Sequence, residues 1–340
     1  MVDHIGKVGF ACKYMHPDQT QKPKILKEIQ GAYSEKSTTI TWLNNQTQEV
    51  AEEKLWNCAG QNWENALRLI EYVGSLPHQQ RMVRLGSNML PAYTHPDWRH
   101  FYKRTDVRNM LARGWGIVGE VAKNLGVRVS MHPGQFTVLA SDNPDIVERS
   151  LEEFEYHADI IRWMGYGQKW QDFKCNVHIS GRQGPAGIKA ILPRLSTEAR
   201  NTITIENDEN KWGLADSLEL EKDVALVIDI HHHLCREGEY INVNDDRIKR
   251  VIDSWRGVRP AMHYSQSRED ILLEHGTNVR PDFVELYANG YKKGKLRAHS
   301  DYMWNTAVNE WAGTFRRDFD IMVEAKAKNL ASIPFEEATL

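Results

Sequence analysis

Cysteine is scarce in this chain: four residues in 340 (Cys12, Cys58, Cys175 and Cys235), widely spaced and with no CxxC pair. That excludes a disulfide scaffold and a thiolate zinc site, and it fits reduced thiols. Long hydrophobic runs are missing too; none approaches the ~18 consecutive apolar residues of a membrane-spanning helix. The opening segment MVDHIGKVGFACKYMH passes directly into a strand-like run and lacks the layout of a signal peptide, so an intracellular protein, cytoplasmic or nucleoid-associated, is expected. Nor is there an excess of charge of one sign. A net charge of −3 does not advertise nucleic acid, so any such partner must be met by a local patch. No internal repeat, low-complexity tract or long Pro/Gly linker divides the chain, and one domain over residues 1–340 is expected.

What the chain does have is alternation. Strand-like runs at Val8–Lys13, Met82–Ser87, Val127–Met131, Phe173–Ser180, Thr202–Asn207, Leu226–Ile230, Pro260–Tyr264 and Ile321–Ala325 alternate with amphipathic helical stretches. The helical candidates are Trp63–Val73, Val107–Asn124, Pro144–Met164, Gly187–Leu195, Leu214–Lys222 and Asp245–Trp255, and the 3.6-residue period is clearest from Ile146 to Met164. Eight strands alternating with helices predict an α/β fold, a single (β/α)₈ TIM barrel. Residues 15–56 form a polar excursion after the first strand, with a β-branched patch at Ser37–Thr41, and are expected to sit on the rim as an insertion. The tail 327–340 is expected to be flexible.

The chemistry lies at the strand ends. Val127–His132, Phe173–His178, Thr202–Glu206, Ala225–Asp229, Arg259–His263 and Phe319–Glu324 each finish on a residue that can bind a metal, while the weaker Met82–Gly86 run gives way to Ser87. A parallel barrel delivers every strand's last residue to one rim, so this repetition predicts a metal site there. Each residue alone has a plainer explanation: His132 or His178 could cap backbone at a strand end. Glu206 and Asp229 follow β-branched strands, where a buried carboxylate is costly unless paired or metal-bound. Of His231, His232 and His233 only some can point inward; Asp229 and His231 share a face if the strand continues, whereas a turn after Ile230 admits His232. His299 by itself reads as a surface histidine. A structural ion-pair network would need arginines at these ends, and Arg84 and Arg182 are the nearest. Mixed imidazole and carboxylate donors favour Zn²⁺, Mn²⁺ or Fe²⁺, and a cluster of two or three ions suits phosphoryl chemistry. The carboxylates Glu206, Asp229 and Glu324 are the catalytic candidates.

SMHPGQF, the HIS-G run, IEND, the D-x-H-H run, MHxxSQ and VEAK, in this order, resemble the ultraviolet damage endonuclease (UvdE/UvsE-type) family of DNA repair enzymes, over nearly the whole chain. The resemblance implies a TIM barrel with a metal centre, usually manganese, that cuts damaged double-stranded DNA 5′ to the lesion and leaves 3′-hydroxyl and 5′-phosphate ends. It carries the ligand roles onto His132, His178, Glu206, Asp229, His232, His263, His299 and Glu324. It also implies a lesion-probing pair at Gln135 and Phe136, where the family has tyrosine in the second place, and a contact at Phe10, again a tyrosine in many relatives. A flat apolar ring suffices to replace lost stacking, so phenylalanine should serve. Two residues before His263 some relatives carry a modified lysine; here stands Ala261, and either another acid or water takes that group's place or lesion specificity and turnover differ. Positive charge for phosphates is available at Arg99, Lys103, Arg104 and Arg108, and at Lys292, Lys293, Lys295 and Arg297 beside His299. No organic cofactor is expected, and a monomer suffices for an asymmetric lesion. The rival readings are an abasic-site endonuclease or sugar isomerase on the same barrel, and a damage-binding protein without catalysis.

Overall fold

A computed structural model describes residues 5–340. The first four residues of the expected domain, which are also the first four of the segment read for a leader, lie outside the described residues. Eight strands run β1 Val8–Ala11, β2 Met82–Arg84, β3 Arg128–Met131, β4 Lys174–His178, β5 Ile203–Glu206, β6 Ala225–Val227, β7 Ala261–Tyr264 and β8 Asp320–Val323. They pair in parallel in the order β6-β5-β4-β3-β2-β1-β8-β7. The two ends of that sheet meet where the His263 amide donates to Ile228 O at 2.9 Å, beside a bridge between Asp229 and His263. The alternation therefore does build a (β/α)₈ barrel. Several strands leave the ladder earlier than their apolar runs do: β2 ends at Arg84 and not Ser87, and β6 at Val227 and not Ile230. The residues beyond those ends turn into the rim loops that carry the site.

Alternating side chains sort into two apolar layers, as strand geometry requires. Ala11, Met82, Ala225, Val227, Ala261 and Met322 fill the barrel's lower interior. Phe10, Val83, Val129, Cys175, Val177, Ile203 and Ile205 face the other way, against helix residues such as Trp115 and Phe154. This corrects the expectation for Phe10: at 1 % exposure between sheet and helices it cannot touch DNA.

Two other expectations also change. The helix anticipated at Trp63–Val73 is the end of a longer one, Gln48–Ser75, whose buried stripe of Ala51, Leu55, Ala59, Ala66, Leu69 and Val73 begins inside the supposed insertion. In the β-branched patch Ser37–Thr41, Thr39 caps a short helix, Ile40–Asn44, its hydroxyl accepting from Trp42 N at 3.1 Å. The tail is not loose. Asn329–Ala338 is helical, Phe335 is buried, and Glu336 accepts from the buried Arg316 guanidinium at 2.7 Å. Among the described residues no helix is long and apolar enough to cross a membrane.

Candidate metal centre

Glu206 is the last residue of β5 and pairs in register with His178, the last of β4. Alternation places Asn176 and Thr204 one layer below them on the same inward face. Thr204 Oγ1 donates to Asn176 Oδ1 at 2.8 Å, and Asn176 Nδ2 donates to Glu206 Oε2. That relay fixes the carboxylate in the barrel mouth.

Two donor groups share this one residue. His132, His178 and Glu206 form the first, with His132 Nε2 at 3.4 Å and His178 Nε2 at 3.9 Å from Glu206 Oε2. Glu206, Asp229 and His263 form the second, with His263 Nδ1 at 3.0 Å from Glu206 Oε1. Glu324 adds an oxygen 3.4 Å from His263 Nδ1, and His299 Nδ1 lies 3.9 Å from the other Glu324 oxygen. Glu206 Oε1, Asp229 Oδ2 and His263 Nδ1 are buried without a hydrogen-bond partner.

The three consecutive histidines separate because the strand does turn. Asp229 caps the helix Ile230–Glu237, its Oδ1 accepting from His231 N and His232 N at 2.8 Å each. His232 then enters the site, its Nδ1 donating to Asn207 O at 3.1 Å and its Nε2 lying 3.7 Å from Asp229 Oδ2. His231 faces away to Leu296 O, and His233 pairs with Glu239.

The cluster is electrostatically unusual. Burial alone would raise Glu206, but His178 and His263 outweigh it and hold its carboxyl well below the usual range. Asp229 goes the other way, lifted by burial to about 6. Burial would lower His232, yet Asp229, Glu206 and Glu209 raise it to about 9. Burial pushes His263 down to about 4. Arg84 pairs with Glu324, so one arginine does reach the cluster, whereas Arg182 pairs with Asp142 at the surface. Ala261 leaves no lysine on β7, but Lys174 reaches His263 Nε2 from β4 at 2.7 Å, with burial lowering its ammonium to about 7. Lys174 and Asn176 went unnoticed in the sequence, although their inward register follows from that of His178.

Around the mouth, Gln135 is exposed and Phe136 stands 85 % exposed at the tip of the loop that follows His132. Lys292, Lys295 and Arg297 are exposed and Lys293 partly so. Arg297 also pairs with Glu209, an acid the sequence reading passed over. The other basic stretch is largely compensated: Arg104 pairs with Glu52 and Asp106, Arg99 with Glu152, and Trp98, Phe101 and Tyr102 are buried. Those rings are core and cannot stack on bases.

These residues fit divalent cations. The donors are nitrogen and oxygen only, several face one another unpaired, and a buried unpaired charge is costly without a counter-ion.

Fold and site together define a β/α-barrel protein with a candidate polynuclear metal centre at the C-terminal rim. The chain belongs to the UV-endonuclease UvdE family, whose sequence model matches residues 6–337. It is 26% identical over 310 residues to a UV DNA damage endonuclease of Bacillus cereus (strain B4264), covering 87% of this chain and 86% of that one. A relative of the same name from Bacillus mycoides (strain KBAB4) is 26% identical over 314 residues, covering 88% and 87%. Among solved structures SacUVDE superposes with a TM-score of 0.72 at 22% identity, covering 98% of this chain and 97% of that chain. Endonuclease IV from Thermus thermophilus shares the fold more distantly, at a TM-score of 0.50 and 12% identity, over 81% of this chain and 93% of that one.

Proposed function

We propose that this protein is a metal-dependent DNA repair endonuclease that hydrolyses the phosphodiester immediately 5′ to ultraviolet photoproducts in duplex DNA, leaving 3′-hydroxyl and 5′-phosphate ends. The observation that carries this reading is the pair of donor groups hinged on Glu206, with their unsatisfied buried atoms, and the exposed Phe136 in the loop that follows the donor His132. The names of the relatives agree with it. Divalent ions, manganese first among them and zinc or iron as alternatives, would generate a nucleophile from water and offset charge on the leaving oxygen.

The chain's own residues do the rest. His132 and His178 on one side and Asp229 and His263 on the other would hold divalent cations, with Glu206 belonging to both groups. Glu324, held by Arg84, and His299 and His232 complete the ring. Gln135 and Phe136 would enter the duplex at the lesion, where stacking is already weakened and bending costs least. Lys292, Lys293, Lys295 and Arg297 would hold backbone phosphates.

Incubating metal-stripped protein, with and without Mn²⁺, with an end-labelled duplex carrying one thymine photoproduct tests this. A Mn²⁺-dependent cut just 5′ to the lesion, absent from undamaged DNA, is expected. Binding without cutting would indicate a damage sensor, and cutting confined to abasic DNA would reassign the substrate.

A further inference from the structure

The rim loops that follow β4 and β5 are bolted to each other. Trp212 Nε1 donates to Gly181 O at 2.7 Å, and Lys211 Nζ donates to Arg182 O at 3.3 Å. The indole packs so closely on Gly184 that a Cβ there would stand 2.5 Å from its ring. Gly184 also takes a φ of +50°, which glycine adopts at no steric cost. Behind the bolt, Asp208 Oδ1 accepts from Asn210 N and Lys211 N, both at 2.6 Å, and closes the second loop into a turn. Two cations are thereby held in fixed places facing outward. Lys211 is exposed, its ammonium 4.8 Å from the Trp212 ring centre, and the Arg182 side chain is 79 % exposed.

These cations continue a line that other basic residues begin. Lys293 Nζ donates to Glu209 O at 3.4 Å and Arg297 pairs with the Glu209 carboxylate, two residues before Lys211. On the other side Arg182 reaches Asp142, at the far end of the loop that carries Gln135 and Phe136. The path round the rim therefore runs from Arg297 through Lys211 to Arg182, following the order of β5, β4 and β3. It skirts a cavity of about 220 Å³ lined by His132, Gln135, His178, Ser180, Asn210 and Arg297. The acids along the path are already engaged: Asp208 by backbone amides, Glu209 by Arg297 and Asp142 by Arg182. Lys211, Lys292 and Lys295 form no ion pair among the described residues, so the path stays positive.

On the endonuclease reading above, on which this inference rests, we propose that Arg182 and Lys211 are phosphate contacts that extend the Lys292–Arg297 track. The backbone of one DNA strand then follows an arc over the cavity, from the stretch beside His299 to the loop of Phe136. Contacts of this kind fix register and orientation and carry no sequence information. Cations already held in place by the bolted loops also lose little freedom on binding. The competing explanation is that Arg182 only ties two loops through Asp142, and that Lys211 only covers Trp212.

Salt dependence separates the two. An undamaged duplex, which the proposed activity leaves uncut, reports phosphate contacts directly, because non-specific binding is essentially all electrostatic. Wild type, Arg182→Gln, Lys211→Gln and the double variant, each loaded with Mn²⁺, are titrated by fluorescence anisotropy at several salt concentrations. Each lost contact should flatten the plot of log affinity against log salt by about 0.9, and the double variant should lose about 1.8. On the photoproduct duplex the same variants should raise KM and leave kcat unchanged, as loss of uniform binding does. Asp142→Asn, which unties Arg182 without removing it, should keep the wild-type slope. A wild-type slope in the double variant overturns the proposal, as does equal flattening in Asp142→Asn and Arg182→Gln. Should either glutamine variant melt markedly lower than wild type, Arg182→Lys and Lys211→Arg keep the charges, and a slope lost in these overturns the proposal equally. A wild type that binds neither duplex would defeat the endonuclease reading itself, and the arc with it, which distinguishes the two failures.

Discussion

At the N-terminal end of the barrel, Asp320 opens β8 and accepts from Arg128 at 2.7 Å, from Arg259 at 3.0 Å and from the Lys7 amide at 2.8 Å. At the C-terminal end, Glu206, Asp229 and His263 are just as buried, yet each keeps an atom with no hydrogen-bond partner. Both clusters place ionisable groups in a low-dielectric interior, which is costly unless they are paired. Below, the partners come from the chain. Above, Glu206 Oε1, Asp229 Oδ2 and His263 Nδ1 find none among the described residues. The contrast separates charge that holds the barrel together from charge kept available for a ligand, and it can be tested end against end.

Glu206→Gln should produce the largest effect. Losing even an outer-shell partner of a metal ligand typically costs about 10- to 100-fold, so removing the shared ligand should lower cleavage by more than roughly 100-fold. Removing a buried charge should at the same time leave the melting temperature of the metal-free protein unchanged or raised. A large drop in Tm with cleavage preserved would make the upper cluster structural.

Asp320→Ala is the mirror experiment. It strands two arginines at the base and should cost about 3 kcal/mol in denaturant unfolding, at the low end for breaking a buried pair because both arginines are partly exposed. Cleavage by the folded fraction should be preserved. A change of less than about 0.5 kcal/mol would remove the distinction between the two ends.

His157 sharpens the comparison from within the helix layer. Its ring is fully buried with both nitrogens engaged, by Ser87 Oγ at 2.9 Å and Glu153 O at 2.7 Å, and burial pushes it down to about 4. An unfolded chain takes up that proton near pH 6.5, the folded one only near pH 4. Its contribution is therefore complete above pH 6.5 and is lost as pH falls from 6.5 through 4, amounting to roughly 3 kcal/mol. Unfolding of metal-free protein followed across that window should show a shallower acid loss in His157→Gln than in wild type; identical slopes would contradict the assignment.

Phe136→Ala should give the smallest change. An exposed ring contributes nothing to the core, so Tm should not move, whereas loss of one stacking contact worth about 1–3 kcal/mol should weaken binding to damaged duplex. Equal binding by both proteins in a titration would leave the loop without its proposed part.

Much of the upper cluster could be read in the sequence because strand register is a two-residue code: a ligand at the end of an apolar run lands on the rim. The entry of His232 was one of two stated alternatives, decided by Asp229 capping a helix and not by continuation of the strand. Glu209 was not legible, because it lies in a loop whose inward turn depends on Asp208 collecting backbone amides. Phe10 was misread from the resemblance, although Gly9 and Ala11 on either side already mark the crowded inner face and leave Phe10 outward. The 99–108 stretch looked like a free basic patch because its partners Glu52 and Glu152 are distant in the chain. The long helix Gln48–Ser75 was shortened because the first half of its buried stripe carries small and sparse apolar residues.

Anomalous diffraction from crystals soaked in Mn²⁺ would test the central claim most directly. The account predicts anomalous density between His132, His178 and Glu206 and again between Glu206, Asp229 and His263, with none beside Asp320. Empty maps at the rim under saturating metal, or peaks only elsewhere, would contradict it.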